Sequence, residues 1–354
     1  MAVFISIISF LAVIIVLILA HEIGHFVTAR ATGVKVEEFG LFYPPRLFSV
    51  KRGDTVYSLN TIPLGGFVKL AGEEDPDVPG SLAGKKYWVR LLVLGSGSLM
   101  NFLLPLLLFS IAFMIPYDAV IGQSVVKEVA TDSPAGRAGV VDGDIILSVN
   151  DKVINNNVDV YRNFNLNLGK EVSVLIKHAD EAEEEISIIP RWRPPEEQTP
   201  SGMRVITAEA YAVPQSYPFW KAIPLGIEAC METFILFKNG IISMIIGAVP
   251  AELAGPVGIA QLTGQIAQSG ISPLLEFAAF LSINLAIVNL FPLPAIDGGR
   301  IMFVLLEWVR RGKRISPKAE GLVHLIGFAL IMVFFLAVTF QDILRIINGE
   351  SLIS

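Results

Sequence analysis

The chain is short of cysteine, of charge and of histidine, and the first two shortages each exclude something. A single cysteine, Cys230, in 354 residues rules out an internal disulfide framework. A net charge of -6 is small for this length and leaves no electrostatic footprint for DNA or RNA, so no nucleic-acid partner is expected. Charged residues make up only 17% of the chain against 53% hydrophobic ones, and the mean hydropathy is +0.61. That balance belongs to an integral membrane protein, whose first partner is the lipid bilayer. Internal repeats and low-complexity tracts are absent. No positive charge precedes the first apolar run, which is too long for the core of a signal peptide, so it is expected to stay with the protein.

Four stretches are long and apolar enough to cross a hydrocarbon core, which takes ~20 helical residues. They run roughly from Val3 to Ala29, Leu91 to Pro116, Pro273 to Ile296 and Gly321 to Phe340. Lysine and arginine cluster between the first and second (Arg30, Lys35, Arg46, Lys51, Arg52, Lys69, Lys85, Lys86, Arg90) and after the third (Arg300, Arg310, Arg311, Lys313, Arg314, Lys318). Both loops should therefore be cytoplasmic, leaving both termini and the region between the second and third spans outside. A fifth apolar stretch, Ala222 to Ala251, is interrupted by Glu228, Glu232 and Lys238 and by Gly240, Gly247 and Pro250. It reads as an amphipathic or re-entrant segment on the outer face.

From Ile121 to Trp192 the texture is that of a water-exposed α+β domain. "QSVVKEVATDSPAGRAGVVDGDIILSVNDKVI" alternates as strands around Ser133-Pro134 and Asp142-Gly143-Asp144, and "KEVSVLIKHAD" with "EEISIIPRW" suits a hairpin. The stretch from Ser133 to Asp151 resembles a PDZ domain, a module that holds an extended peptide at a sheet edge. Beyond it, Pro194 to about Pro224 is proline-rich and polar, a linker with one strand near Arg204 to Tyr211.

"LILAHEIGHFVTAR" places His21 and His25 four residues apart, on one face of a helix and one turn from each other. Two imidazoles so placed bind one Zn²⁺, and Glu22 beside them is positioned to act as general base on the attacking water. In a membrane span the pattern carries more weight, because unpaired His and Glu cost several kcal/mol there. A catalytic zinc takes three protein ligands. Of the four histidines, His178 belongs to the outside domain and His324 opens the fourth span. The better third ligand lies in "NLFPLPAIDGGR", where two prolines break the third span before Asp297. His25 lies five residues before Arg30 and Asp297 three before Arg300, so both sit at the cytoplasmic end of inward-running spans. Irregular backbone at that depth is tolerated where it lines a watery cavity.

"HEIGH" together with "NLFPLPAIDGG" resembles the site-2 protease family of intramembrane zinc metalloproteases, in the RseP-type branch with a single PDZ domain. The resemblance covers essentially the whole chain. It implies zinc held by His21, His25 and Asp297, water activation by Glu22, and a transmembrane helix as substrate. The second span departs slightly from the family pattern: Gly97, Ser98 and Asn101 stand without the usual proline, and Gly95 and Gly97 are read as close-packing residues, with Asn101 as an interhelical hydrogen bond.

A helical substrate must be unwound before its carbonyls are accessible. "TVYSLNTIPLGGFVKLAG", Thr55 to Gly72, alternates around a Pro-Leu-Gly-Gly break and suits a hairpin-like element whose edge, at Gly65, Gly66 and Phe67, adds an unwound substrate segment as a strand. Asn289, and less directly Asn284, would face the same cavity, Asn289 bonding the substrate backbone. The expected fold is thus a polytopic α-helical membrane protein with four transmembrane helices, a membrane-associated β-hairpin loop and one α+β PDZ-like domain. Its segments are 1–116, the PDZ-like domain at 117–193, a linker with the amphipathic segment at 194–272, and 273–354. The expected activity is intramembrane endopeptidase cleavage of single-pass transmembrane proteins or peptides, with Zn²⁺ as cofactor and a peptide ligand for the PDZ-like domain. A membrane-anchored PDZ adaptor with an inactive metal site would be expected to have lost Glu22, which is present, and a metal transporter would need polar residues that the second and fourth spans hardly offer.

Overall fold

The computed structural model describes residues 2–73, 75–249 and 254–348, so the expected ends at Ala251 and Ser354 lie outside the described residues. In chain order the elements are α1 (Ala2–Ala31), β1 (Val36–Arg52), β2 (Thr55–Leu70), α2 (Tyr87–Met114), β3 (Tyr117–Val129), α3 (Pro134–Arg137), β4 (Ile145–Val149), β5 (Lys152–Val153), α4 (Asn157–Leu166), β6 (Val172–Lys177), β7 (Glu183–Ile188), β8 (Met203–Gln215), α5 (Phe219–Ile245), α6 (Pro256–Gln268), α7 (Ile271–Leu290), α8 (Asp297–Val309) and α9 (Pro317–Ile347). They form two compact units, one of Met1–Ala112 with Leu253–Ser354 and one of Phe113–Glu252.

The first unit holds the helices that are long and apolar enough to span a bilayer: Phe4–Ala31, Tyr87–Met114, Ile271–Leu290 and Pro317–Ile347. The protein is a polytopic α-helical membrane protein. Large apolar side chains such as Leu325, Phe328 and Leu330 of α9 are exposed, as lipid-facing positions must be. Small residues set the close approaches. A Cβ at Gly24 would stand 2.3 Å from the Ser96 carbonyl oxygen, so α1 and α2 touch backbone to backbone there. A Cβ at Gly264 would strike Ser6, which seats α6 along α1. Ala29, Val34, Val36, Leu70, Val93 and Val304 share a buried apolar cluster joining α1, β1, β2, α2 and α8. The buried Glu307 ties α8 down through Arg90 of α2 (2.6 Å) and Arg314 (2.8 Å).

β1 and β2 pair antiparallel, and the hairpin turns at Gly53, whose φ of +63° suits glycine, not at the Pro-Leu-Gly-Gly break. Both strands bend: Phe39, Gly40 and Leu41 are paired on one side with Tyr57, Ser58 and Leu59 and on the other with Val68, Phe67 and Gly66. The expected hairpin within Thr55 to Gly72 is thus corrected, because a segment of β1 lies between its two arms. The stretch from Gly66 to Leu70 has a partner on one side only among the described pairings.

In the second unit the sheet order is β7-β6-β4-β3-β8, with β5 paired to β4. Its core gathers Val126, Ile146, Val160, Phe164, Ile176, Ile188 and Val205, each large apolar side chain contributing about 1.5–3 kcal/mol when fully buried. Ser133 caps α3 at the Gly136 N–H and Asn156 caps α4 at the Asp159 N–H. The strand expected near Arg204 to Tyr211 is present, but it is longer, β8 (Met203–Gln215), and instead of lying in a linker it pairs with β3 along its length and completes the sheet. β8 is an edge strand, where alternating exposed residues and Pro214 are tolerated. The amphipathic segment is one 27-residue helix, α5, whose Glu228 and Glu232 pair with Lys152 at 2.5 and 2.6 Å and whose Glu232 also meets Arg162 at 2.8 Å. α6 (Pro256–Gln268) lies beyond that segment, within the 194–272 stretch, and was not expected as a separate helix.

Candidate metal centre and active site

Three acceptor atoms converge where α1, α2 and the start of α8 meet. His21 Nε2 and His25 Nε2 lie 3.0 and 3.1 Å from Asp297 Oδ2 and 3.1 Å from each other. Helical spacing puts the two imidazoles on one face, and the break after α7 brings the carboxylate to them. Loop and helix start fit together because Gly298 and Gly299 lack side chains: a Cβ at either would stand within 2.3 Å of the Phe291 or Leu293 carbonyl oxygen.

The second ring nitrogens decide what this cluster is for. His25 Nδ1–H donates to the Val93 carbonyl at 2.8 Å, which leaves Nε2 as a bare lone pair. His21 Nδ1 lies 3.4 Å from the amides of both Asn101 and Asn289. Asn101 Oδ1 is buried with no partner among the described residues, and turning that amide end for end lets it accept from His21 Nδ1–H. Two imidazole lone pairs and a carboxylate oxygen within 3.1 Å of one another repel unless a cation sits among them. Ligand atoms ~2.0–2.1 Å from one Zn²⁺ in a tetrahedron are themselves roughly 3.3 Å apart, close to the spacing here. The space is kept by Gly97, where a Cβ would fall 2.3 Å from His25 Nε2 and 2.7 Å from His21 Nε2. The residues fit zinc.

Across 326 residues the match to known proteins is continuous: the family model described as peptidase family M50 covers residues 9–334. The chain belongs to peptidase family M50. A Clostridium perfringens relative is 35% identical over 93% of this chain and 95% of its own length. The protein named zinc metalloprotease RasP of Oceanobacillus iheyensis is 29% identical over 96% and 99%, and the regulator of sigma-W protease RasP of Bacillus subtilis is 27% identical over the same shares. This M50 chain is a zinc metalloprotease of the site-2, intramembrane type.

The remaining expected residues fall as follows. Glu22 is buried, and a Cβ at Gly66 would come within 3.0 Å of its Cγ, so the β2 edge runs directly past the carboxylate. Gly65 lies under the Tyr43 ring, and the Phe67 ring covers Gly40 and stacks on Tyr43 at 13°. Asn289 is half-buried beside His21, whereas Asn284 bonds back to Phe280 in its own helix and is not turned to the histidines. Gly95 has nothing within 4 Å, so its expected packing role is corrected and passes to Gly24. Sequence reasoning missed His324, set aside as a ligand. Its Nδ1 accepts from the Ala295 N–H at 2.9 Å and so grips the loop that delivers Asp297.

Proposed function

We propose that His21, His25 and Asp297 hold the catalytic Zn²⁺ and that Glu22 is the general base. The convergence of three acceptors beside a buried carboxylate is the observation that carries this. When bound, zinc polarises the scissile carbonyl and lowers the pKa of water. Glu22 takes the proton of the attacking water and delivers it to the leaving amine. The edge of β2 at Gly65, Gly66 and Phe67 receives an unwound substrate segment as an added strand, since from Gly66 to Leu70 β2 has a partner on one side only among the described pairings. Asn101, fully buried, orients His21, which frees the half-buried Asn289 to hydrogen-bond the substrate backbone.

The substrates are single-pass transmembrane proteins or peptides cut within or near the bilayer, with anti-sigma factors, remnant signal peptides and pheromone precursors as fitting classes. The sigma-W regulator among the relatives supports the first. The placement of lysine and arginine supports a plasma-membrane protein with both termini and the PDZ-like domain extracytoplasmic and the zinc near the cytoplasmic end of the spans. A PDZ-like domain on that side acts on a substrate's outer portion, as a gate against bulky ectodomains. It does not hold the bond being cut.

Two variants separate base from ligand. Glu22→Gln keeps one zinc per chain and loses several orders of magnitude in cleavage, while Asp297→Ala loses both cleavage and tight zinc. Near-normal turnover by the first sinks the base assignment, and parental zinc affinity in the second sinks the ligand set.

A further inference from the structure

The sheet of the PDZ-like unit has two edges, β7 and β8, and on the β8 edge the unit's own side chains already sit. β8 is the outer strand, paired with β3 alone. At the Val126 and Val205 pair, Val126 spends its N–H on the Asp144 carbonyl (2.8 Å) and its C=O on the Gly143 N–H (2.9 Å), both on the β4 side. Main-chain groups of one strand residue point the same way, so those of Val205 point away from β3, toward the open edge. There the Tyr161 hydroxyl of α4 accepts from the Val205 N–H at 2.9 Å and donates to the Val205 C=O at 3.2 Å. One hydroxyl, donor and acceptor at once, thus makes the pair of bonds that a residue of an added strand would make. The closure extends to both sides. Thr199 Oγ1 donates to the Met203 carbonyl at 2.9 Å, and Thr207 Oγ1 both accepts from the Asn157 N–H and donates to Asn157 Oδ1, each at 2.9 Å.

α4 is held in this position from behind. Arg162, next to Tyr161, pairs with Glu232 of α5, and Asn239 of α5 donates to the Asn165 carbonyl at 2.7 Å. We propose that Tyr161 is a built-in stand-in for a peptide strand: its hydroxyl keeps the β8 edge closed, and an extended peptide binds along Met203 to Thr207 only when that hydroxyl is withdrawn. This rests on the strand-addition reading of the domain and is independent of the metal centre. It also gives the gate a resting state in which the domain grips nothing.

Tyr161→Phe is the test, because it removes the hydroxyl and keeps the ring that packs on the core. Full-length protein in nanodiscs is titrated with a fluorescein-labelled octapeptide of alternating Val and Ser with a free carboxylate. Amide exchange of the segment around Val205 is followed in the absence of peptide. The expected result is at least tenfold faster exchange at Val205 and at least tenfold tighter peptide binding in the variant. Equal, measurable binding by both proteins overturns the plug while leaving the peptide-site reading intact. Binding by neither overturns both, and unchanged exchange overturns the plug whatever the peptide does.

Discussion

At Gly97, helix propensity and chemistry pull in opposite directions. Glycine inside a helix costs about 1 kcal/mol relative to alanine, so Gly95→Ala and Gly97→Ala should both stabilise α2 if propensity were all that mattered. A methyl at 95 meets nothing within 4 Å, whereas one at 97 would stand 2.3 Å from His25 Nε2 and 2.6 Å from His21 Cε1. Neither imidazole can retreat freely, since His25 is anchored to the Val93 carbonyl and both belong to one helical face. We expect Gly97→Ala to lose stoichiometric zinc and cleavage while still folding, and Gly95→Ala to keep both. Metal analysis of the purified variants decides it, and parental zinc in Gly97→Ala would remove the two histidines from the site.

The element that matters most is the break between α7 and α8. Prolines 292 and 294 end the helix, Ala295 takes a φ of +74°, and its N–H is held by His324 while Pro294 packs on Gly327 of α9. A side chain in that left-handed region is disfavoured, so the loop keeps its shape only because neighbours hold it. α9 therefore acts on the metal site through the loop without touching it. His324→Ala should weaken zinc affinity by roughly 10–100-fold, the range typical of groups that orient ligands, and His324→Gln, which retains an acceptor, should recover part of the loss. Chelator competition measures it. Unchanged affinity in His324→Ala would mean that the loop is held without its histidine.

For the molecule as a whole, the orientation in the bilayer decides whether the gate reading can stand. In a Cys230→Ser background, single cysteines at Lys51, Lys170 and Lys313, all exposed, report the two basic loops and the second unit. An impermeant thiol reagent added to intact cells should label position 170 and spare 51 and 313. Since Asp297 meets His21 and His25 at 3.0 and 3.1 Å, outside labelling of 313 would overturn the orientation drawn from charge and the gate reading with it.

Periodic and compositional features were legible from the residues alone. Long apolar runs announce spans, His21 and His25 share a face by helical spacing, and a carboxylate after a proline-broken span stands out because the bilayer penalises it. Each of these is a local property, carried by neighbours in sequence. What only the tertiary structure decided depends on partners far along the chain. The composition near Arg204 to Tyr211 marked a strand, but that β8 runs from Met203 to Gln215 and joins the sheet depends on hydrogen bonds to β3 more than seventy residues earlier. Gly97 became the floor of the site, and Gly24 instead of Gly95 the contact between helices, because of which side of α2 faces α1. His324 and Tyr161 owe their roles to a single hydrogen-bonding atom meeting a backbone group on another element. A sequence states which groups a segment can offer; whether a distant backbone arrives at 2.9 Å to take them is settled only when the elements pack.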